Sequence, residues 1–316
     1  MLGRSQLTSV ESARTLLLSQ ISDHPPESEK LPLEDCLDRI CATQILAPED
    51  LPPTDRSTMD GYAVKASDTF GASQSMPGYL DIGGEVIMGE TPIGTMALGT
   101  CFKIPTGGIL PDGADAVVMH EHTVPVDDKI IEIVKPVGNG SNLIRRGDDI
   151  QKGAVAVKAG QNLRPQELGL LAGLGISEVE VFKPITVAII STGDEIVDFR
   201  GAADPGRIRN INSIVLSSLV RRCGALVKDF GIVSDEESSF FSTLEQAVEQ
   251  TDLVLFSGGS SVGMRDLGEQ AIERIGHPGI LVHGVQLKPG KPVILSLIHI
   301  SEPTRRATIS RMPSSA

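Results

Sequence analysis

The sequence predicts a multidomain α/β protein, in which a small β-rich insertion precedes a doubly wound, parallel α/β domain. From Pro184 onward, strand-like apolar runs alternate with segments of helical length, a pattern typical of parallel sheets that are covered by helices. Between about Leu51 and Gly138 the chain instead contains short β-like runs separated by turn residues, which indicates an all-β insertion. Mixed helix and strand patterns flank that insertion.

The first predicted element is a helix that ends near Ile21, because Thr8 and Glu11 have the spacing of a capping box and apolar residues recur after them. The β-like runs of the insertion are GGEVIMGETPIGT, TCFKIPTGG, ADAVVMHEHTVPV and KIIEIVKPV. A second helix is predicted to begin at Pro165 and to end near Gly175, before the strand SEVEVF.

In the α/β domain, the predicted order is ITVAIIS, helix 212–223, ALVKDFGIV, helix 237–250, DLVLFSGG, helix 267–275 and GILVHGVQL. Ligands of such sheets bind at the carboxyl ends of the strands, so site residues are expected in the loops that follow them. The last stretch, SLIHISEPTRRATISRMPSSA, is crowded with arginine and has no periodicity, and we expect it to lie outside the fold.

The composition restricts the class of partner. The chain has 316 residues, 40% of them hydrophobic, and a formal net charge of -13. A nucleic acid or an anionic membrane needs a basic face, so neither is expected as a partner. The cysteines form no C-x-x-C pair, which indicates reduced thiols, and the N-terminal apolar runs are too short for a signal peptide or a membrane span. A cytoplasmic location is therefore expected.

Charged residues follow two of the predicted strands. In STGDEIV, Asp194 and Glu195 lie just beyond a strand end, where a magnesium ion or a phosphate-bearing ligand with its metal would bind. The alternative interpretation is a solvated acidic loop. In KPGKP, Lys288 and Lys291 follow a later strand, where two ammonium groups would neutralise an anionic substrate.

A loop rich in glycine and serine follows the strand DLVLF. In SGGSSVGMRD the glycines let backbone N–H groups turn inward and the serines add hydroxyl donors, so that the loop would hold an anion such as phosphate. Asp266 could ligate a metal that accompanies this anion. The run also matches the G-x-S-x-G elbow of hydrolases through Ser261, but too few residues follow for the acid and histidine of a triad.

Three weaker features remain. The turn IPTGG offers the hydroxyl of Thr106 to a ligand or to its own loop. The run RRGDDI is by default a surface cluster of ion pairs. His120 and His122 are close together but have no third ligand, so no metal site is expected there.

In order and spacing, seven motifs resemble those of the molybdopterin molybdenumtransferase family, which includes the gephyrin E domain. The motifs are STMDGYAV, IPTGGILPDGADAVV, IRRGDDI, LGLLAGLGISEVEV, STGDEIV, SGGSSVGMRD and KPGKP, and the resemblance covers roughly residues 5–295. It implies a magnesium-dependent enzyme that inserts molybdate into adenylylated molybdopterin, hydrolyses the adenylate to AMP and yields molybdenum cofactor. It also implies a homodimer, whose active cleft lies between the α/β domain of one chain and the β-rich domain of the other.

Carried onto this sequence, the resemblance implies roles for individual residues. Asp60, beside Gly61, and Thr106 would reach the cleft from the partner subunit, although Asp60 could instead cap its own turn. The implied catalytic residues are Asp60, Thr106, Asp149, Glu195, Asp235 and Asp266, of which Glu195 and Asp266 would bind the metal. The implied substrate-binding residues are Thr192, Gly193, Asp194, Gly258, Gly259, Ser260, Ser261, Gly263, Lys288 and Lys291.

The resemblance further implies an elongated mixed domain (residues 1–50 and 139–183), the β-rich domain (51–138) and an incomplete, Rossmann-like molybdopterin-binding domain (184–295). Residues 296–316 look like a translated sequencing adapter or a frame error, and form a non-family tail. The family's C-terminal β domain is expected after KPGKPVIL and is missing. Because that domain helps to form the family's molybdate pocket, the sequence leaves open whether this chain is active.

Two other functions stay open at this stage. One is a non-catalytic molybdopterin-binding or scaffold protein. The other is molybdopterin adenylyltransferase, which shares the α/β domain but normally lacks an insertion like that at residues 51–138. The expected partners are small-molecule substrates, with molybdopterin adenylyltransferase and molybdoenzyme-maturation proteins as candidate protein partners. The sequence leaves open whether molybdenum or tungsten is the preferred metal.

Overall fold

The computed structural model describes residues 7–21, 26–258, 262–288, 293–301 and 304–311, of which 262–267, 277, 299–301 and 304–311 are described by their backbone alone. The helices are α1 (Val10–Ile21), α2 (Pro165–Gly173), α3 (Asn212–Arg222), α4 (Glu237–Gln250) and α5 (Val262–Ile275). The strands are β1 (Ser28–Pro32), β2 (Ile45–Leu46), β3 (Arg56–Ser57), β4 (Gly61–Val64), β5 (Gly78–Glu85), β6 (Thr100–Ile104), β7 (Ala116–Met119), β8 (Thr123–Pro125), β9 (Ile130–Ile133), β10 (Leu143–Ile144), β11 (Val155–Val157), β12 (Glu178–Phe182), β13 (Thr186–Thr192), β14 (Ile196–Val197), β15 (Ile208–Arg209), β16 (Leu226–Val233), β17 (Leu253–Gly258), β18 (His277–His283), β19 (Val293–Ser301) and β20 (Thr304–Arg311).

The chain divides into two compact units. The α/β unit comprises Met1–Glu29 and Val181–Ala316, and the β-rich unit comprises Lys30–Glu180. The domain boundaries that the sequence implies stay predictions, because compact units do not show how each is divided into domains. Within the described ranges, no helix is long and apolar enough to cross a membrane.

The main sheet of the β-rich unit has the order β7-β4-β6-β5-β9-β8. Residues 51–138 are all described and contain strands and short 3-10 turns but no α-helix, as the predicted β-rich character of this segment requires. Strand β4 pairs antiparallel with both β6 and β7, and all four of its residues are buried. The core beneath this sheet includes Val64, Val118, Ile131 and Ile133.

The rest of the β-rich unit contains the predicted second helix. Helix α2 begins at Pro165, a residue suited to a first helical turn, and packs through the buried Leu171. Leu174 is also buried, and Gly175 follows with a φ of +71°, a conformation that favours glycine and ends the helix. This segment also contains the short strand pairs β10-β3 and β11-β2.

The α/β unit contains a second six-stranded sheet, of order β16-β13-β17-β20-β19-β18. Strand β13 pairs in parallel with β16 on one side and with β17 on the other, as the alternation of strands and helices predicts. All but the first residue of β13 are buried, which is expected of a central strand covered by helices on both faces. One core cluster joins α4 to this sheet through Phe240, Leu244 and Phe256.

Two sequence predictions about this sheet are wrong. The sheet is mixed, because β18 and β19 pair antiparallel and β19 and β20 form an antiparallel hairpin. Residues from Ser296 onward do not all lie outside the fold, since β20 also pairs in parallel with β17. The reason is the apolar run from Val293 to Ile298, which is buried throughout. The arginines that follow it hid this strand pattern in the sequence.

Two helix starts also differ from prediction. The N–H of Ser12 donates to the hydroxyl of Ser9 at 3.0 Å, so Ser9 and not Thr8 caps helix α1. Thr8 instead donates its N–H to the carbonyl of Gly284 at 3.1 Å, in the same unit. Helix α5 begins at Val262, five residues before the predicted start, so it follows the Gly-Ser loop directly.

Candidate functional site

Three neighbouring strands of the α/β unit end at one edge of the sheet. Thr192, the last residue of β13, is in register with Val233 of β16 and with Gly258 of β17. A Cβ added to Gly258 would lie 2.0 Å from the hydroxyl of Thr192 and 2.2 Å from its carbonyl oxygen. Only glycine therefore fits at the end of β17, where the backbones of the two strands approach closely.

Carboxylates follow two of these strand ends. Asp194 comes two residues after β13, and the N–H of Asp235, two residues after β16, donates to the Asp194 carboxylate at 3.2 Å. The Oδ1 atom of Asp235 is shielded from solvent and has no hydrogen-bond partner among the described residues. Burial raises the pKa of Asp235, and the negative charges of Asp194 and Glu195 raise it further. We define these three carboxylates as the acid cluster.

Backbone contacts hold the acid cluster in place. Gly193 has a φ of +141°, and a Cβ added there would lie 3.0 Å from the carboxylate of Glu195, which folds back over this glycine. The Glu195 carbonyl accepts the N–H of Ile208 at 2.8 Å, and the Asp194 carbonyl accepts a hydrogen bond from the guanidinium of Arg207. Arg207 was not singled out from the sequence, because its pairing with a carbonyl 13 residues away leaves no local signal.

The donor chemistry of the acid cluster fits a hard cation such as Mg²⁺, which prefers carboxylate oxygen. In the part of the chain that the structure describes, no group of three or more His, Cys, Asp or Glu residues is arranged to hold a metal ion. That finding is compatible with magnesium, which commonly binds through one or two carboxylates together with phosphate oxygens of the substrate. The described carboxylates therefore form no complete cage for a metal ion by themselves.

A second group of predicted residues meets in the β-rich unit. The Oδ1 atom of Asp60 accepts the N–H of Thr106 at 2.7 Å and its hydroxyl at 2.8 Å. Both bonds lower the pKa of Asp60, the bond from the N–H more than the bond from the hydroxyl. The charge of His120 lowers this pKa further. Both side chains are exposed, so the pair presents a fixed, ionised carboxylate at the surface.

The sheet holds Asp60 at the start of β4. A Cβ on the next residue, Gly61, would lie 2.0 Å from the carbonyl oxygen of Val118 on β7, so the close pairing of these strands requires glycine. His120 donates its N–H to the carbonyl of Asp60 at 3.2 Å, and its ring meets the edge of Tyr62 at a centroid distance of 5.2 Å. The sequence gives no link between His120 and Asp60, because only the pairing of strands brings the two residues together.

Comparisons with known proteins identify the family of the chain. A family described as the MoeA N-terminal region (domain I and II) matches residues 8–175, and a probable molybdopterin binding domain matches residues 188–316. A putative molybdopterin biosynthesis protein of Methanocaldococcus jannaschii is 36% identical over 93% of this chain and 73% of its own length. A molybdopterin molybdenumtransferase of Haemophilus influenzae is 35% identical over 90% of this chain and 69% of its own length.

A solved structure leads to the same family. The molybdopterin biosynthesis MoeA protein of Pyrococcus horikoshii superposes with a TM-score of 0.78 at 31% identity, over 98% of this chain and 74% of that one. The chain belongs to the molybdopterin molybdenumtransferase family. The resemblance inferred from the seven motifs and the predicted α/β multidomain class are thereby confirmed. Relatives named molybdopterin molybdenumtransferase are transferases, so the hydrolase interpretation of the G-x-S-x-G run is set aside.

The other residues that the molybdenumtransferase resemblance implies are placed as follows. Asp149 is exposed and donates its N–H to Leu51 at 3.0 Å, and no described contact joins it to Asp60 or Thr106. Lys288 is exposed beyond β18, and no described contact joins it to the acid cluster. The residues that lie outside the described part of the chain are Gly259, Ser260, Ser261 and Lys291, and Gly263 and Asp266 are described only as backbone of α5.

Proposed function

We propose that this protein inserts molybdate into adenylylated molybdopterin, with hydrolysis of the adenylate to AMP and release of molybdenum cofactor. The observation that carries the proposal is the unpartnered Oδ1 atom of Asp235, buried beside Asp194 at the carboxyl edge of the sheet. A buried carboxylate oxygen without a partner is unfavourable by about 1–3 kcal/mol, and such atoms are retained where a ligand completes the site.

In the proposed reaction, the acid cluster acts on the adenylate phosphates. Glu195 and Asp194, with Asp266 as a further expected ligand, would hold magnesium together with phosphate oxygens. When bound, the metal supplies charge neutralisation to those oxygens. Asp235 Oδ1 orients the water that attacks the adenylate phosphorus and accepts its proton as AMP forms and the molybdopterin phosphate leaves, a step that the amide of asparagine cannot perform.

The end of β17 and the start of α5 support the binding of the anionic part of the substrate. Gly258 ends the strand and Val262 begins a helix of 14 residues, so the intervening loop leads straight to a helix N-terminus. Free N–H groups at such a terminus favour phosphate. We propose that Gly259, Ser260, Ser261 and Gly263 contribute to this binding, and that Lys288 and Lys291 neutralise further oxygens.

The Asp60 and Thr106 pair is proposed to act on the same substrate class. Both described hydrogen bonds of the Asp60 carboxylate reach Oδ1, which leaves Oδ2 for a substrate group. The lowered pKa of Asp60 means that its hydrogen bonds favour the ionised form, which offers this oxygen as an acceptor. We further propose that the protein is a homodimer, in which Asp60 and Thr106, together with Asp149, serve the site of the partner subunit. We also propose a cytoplasmic location and contacts with molybdopterin adenylyltransferase and molybdoenzyme-maturation proteins.

The test uses Asp235→Asn, with Glu249→Gln on the exposed side of α4 as the control for a lost charge in the same unit. AMP release from adenylylated molybdopterin is measured with molybdate and magnesium, beside the thermal melting temperature. Asp235→Asn should lower the rate about 100-fold or more. Its melting temperature should stay equal or rise, because a buried charge beside Asp194 and Glu195 is removed.

Retention of the wild-type rate by Asp235→Asn would refute the proposed role of this residue. A wild-type chain that binds adenylylated molybdopterin but releases no AMP, with magnesium and molybdate present, would instead support a non-catalytic binding function for this chain. An equal loss of rate in Glu249→Gln would attribute the effect to overall charge and not to the acid cluster.

A further inference from the structure

Two buried donor atoms in the β-rich unit have no described partner. The hydroxyl oxygen of Thr54 and the Nε atom of Arg56 are both shielded from solvent and form no hydrogen bond with the described residues. Leaving a buried donor unsatisfied is unfavourable by about 1–3 kcal/mol, and by more for a charged group. The two donors lie two residues apart in the chain, and the described residues supply an acceptor to neither of them.

Two acidic residues that precede Arg56 in the sequence, Asp50 and Asp55, have other partners. The Asp55 carboxylate accepts the N–H of Arg146 at 2.8 Å. Asp50 accepts the Nε of Arg146 at 2.5 Å and the N–H of Lys152 at 2.7 Å. No described ion pair includes Arg56, although the chain carries a net charge of -13. Arg56 is thus a partly buried cation for which the described residues provide no ion pair.

The backbone around Arg56 is fixed next to the loop of Thr106. Arg56 is paired with Ile144 of β10 on one side and forms a bridge with Ile109 on the other. The adjacent Ser57 accepts the N–H of Gly107 at 2.8 Å and donates its own N–H to Gly108 at 3.0 Å. Residues two apart have Cα atoms within about 7 Å, so Thr54 and the long Arg56 side chain can reach one small ligand.

We propose that Thr54 and Arg56 form a binding site for a tetrahedral oxyanion. A guanidinium has donors and no acceptor, so it selects a ligand with oxygen acceptors and negative charge. A water molecule could bond to both atoms but would leave the charge of Arg56 unbalanced. Molybdate and a phosphate group share the required chemistry. The identification of the anion as molybdate or as the substrate's phosphate rests on the proposed function, whereas the binding of an oxyanion does not.

The experiment measures the affinity of the full chain for molybdate alone and, separately, for inorganic phosphate alone by titration calorimetry. The variants are Arg56→Gln and Thr54→Val, and the control is Arg145→Gln, an exposed arginine of the same unit that bonds to Asn139 at 3.1 Å. At least one oxyanion should bind the wild type with one site. Each variant should weaken that binding about 10- to 100-fold, the effect of one charge-assisted hydrogen bond, and Arg145→Gln should leave it unchanged.

Thr54→Val keeps the shape of the side chain, so it separates loss of a donor from loss of the fold, which circular dichroism monitors in parallel. The inference is overturned if neither oxyanion binds the wild type, or if both variants bind as the wild type does. Binding of molybdate in preference to phosphate identifies the free substrate as the ligand, and the reverse identifies the substrate's phosphate. Oxyanion binding that depends on Arg56 in a chain without AMP release would retain this inference and refute the proposed function.

Discussion

Replacing Gly61 with alanine tests whether the sheet that carries Asp60 requires a glycine at the next position. The added Cβ would lie 2.0 Å from the carbonyl oxygen of Val118, 2.9 Å from its carbonyl carbon and 3.0 Å from the Cα of Met119. All three atoms belong to the backbone of β7, so no change of side-chain rotamer relieves the contact. Strands β4 and β7 must therefore move apart.

The size of that movement sets the expected loss of stability. Lengthening the closest contact from 2.0 Å to 3.0 Å, below which real Cβ contacts are essentially never seen, requires a shift of 1.0 Å. A shift of this size breaks backbone hydrogen bonds between paired strands, which tolerate only a few tenths of an ångström. Two or three bonds are affected at about 1 kcal/mol each. With overpacking included, we expect the free energy of unfolding to fall by about 3 kcal/mol.

The matched control is Gly169→Ala in helix α2, where an added Cβ meets no atom within 4 Å. Alanine there should raise the free energy of unfolding by about 0.5–1 kcal/mol, because glycine is a poor residue inside a helix. Urea unfolding followed by far-ultraviolet circular dichroism measures both variants. If Gly61→Ala stays within about 0.5 kcal/mol of the wild type, the close pairing of β4 and β7 that positions Asp60 is wrong.

Two further predictions concern the strand end in the α/β unit and the pH dependence of the β-rich unit. Gly258→Ala should lower the free energy of unfolding by about 3 kcal/mol, because the added Cβ would lie 2.0 Å from Thr192 and the φ of residue 258 is +155°. The control is Gly268→Ala in α5, whose Cβ would meet Phe256 at an ordinary 3.5 Å and should not lower it. Equal urea midpoints for the two variants would contradict this prediction. The side chain of Arg164 lowers the pKa of Glu167 from 4.5 to about 2, so ionised Glu167 stabilises the fold above pH 4.5 and that contribution is lost as the pH falls toward 2. Between pH 4.5 and 2, the melting temperature of the wild type should accordingly fall more steeply than that of Glu167→Gln. Parallel plots of melting temperature against pH would refute this role of the Arg164–Glu167 pair.

Much of the fold could be predicted because its elements are encoded locally. Helix α3 was predicted at 212–223 and spans Asn212–Arg222, and helix α4 occupies the predicted residues 237–250. Apolar periodicity within one segment is enough to recognise such elements. The direction of β18 and the place of β19 and β20 in the sheet were missed, because strand direction depends on partners far away in the sequence.

The sequence by itself determined the family, the alternation of long strands with helices from β13 to β18, and the residue types of the candidate site, including Asp60, Thr106 and Asp235. Only the tertiary structure joined Asp60 to Thr106 across 46 residues and Asp235 to Asp194 across 41. It alone revealed the buried donors of Thr54 and Arg56. The reason is physical: periodicity and turn chemistry act between neighbours along the chain, whereas burial and hydrogen-bond satisfaction depend on which distant backbone lies alongside.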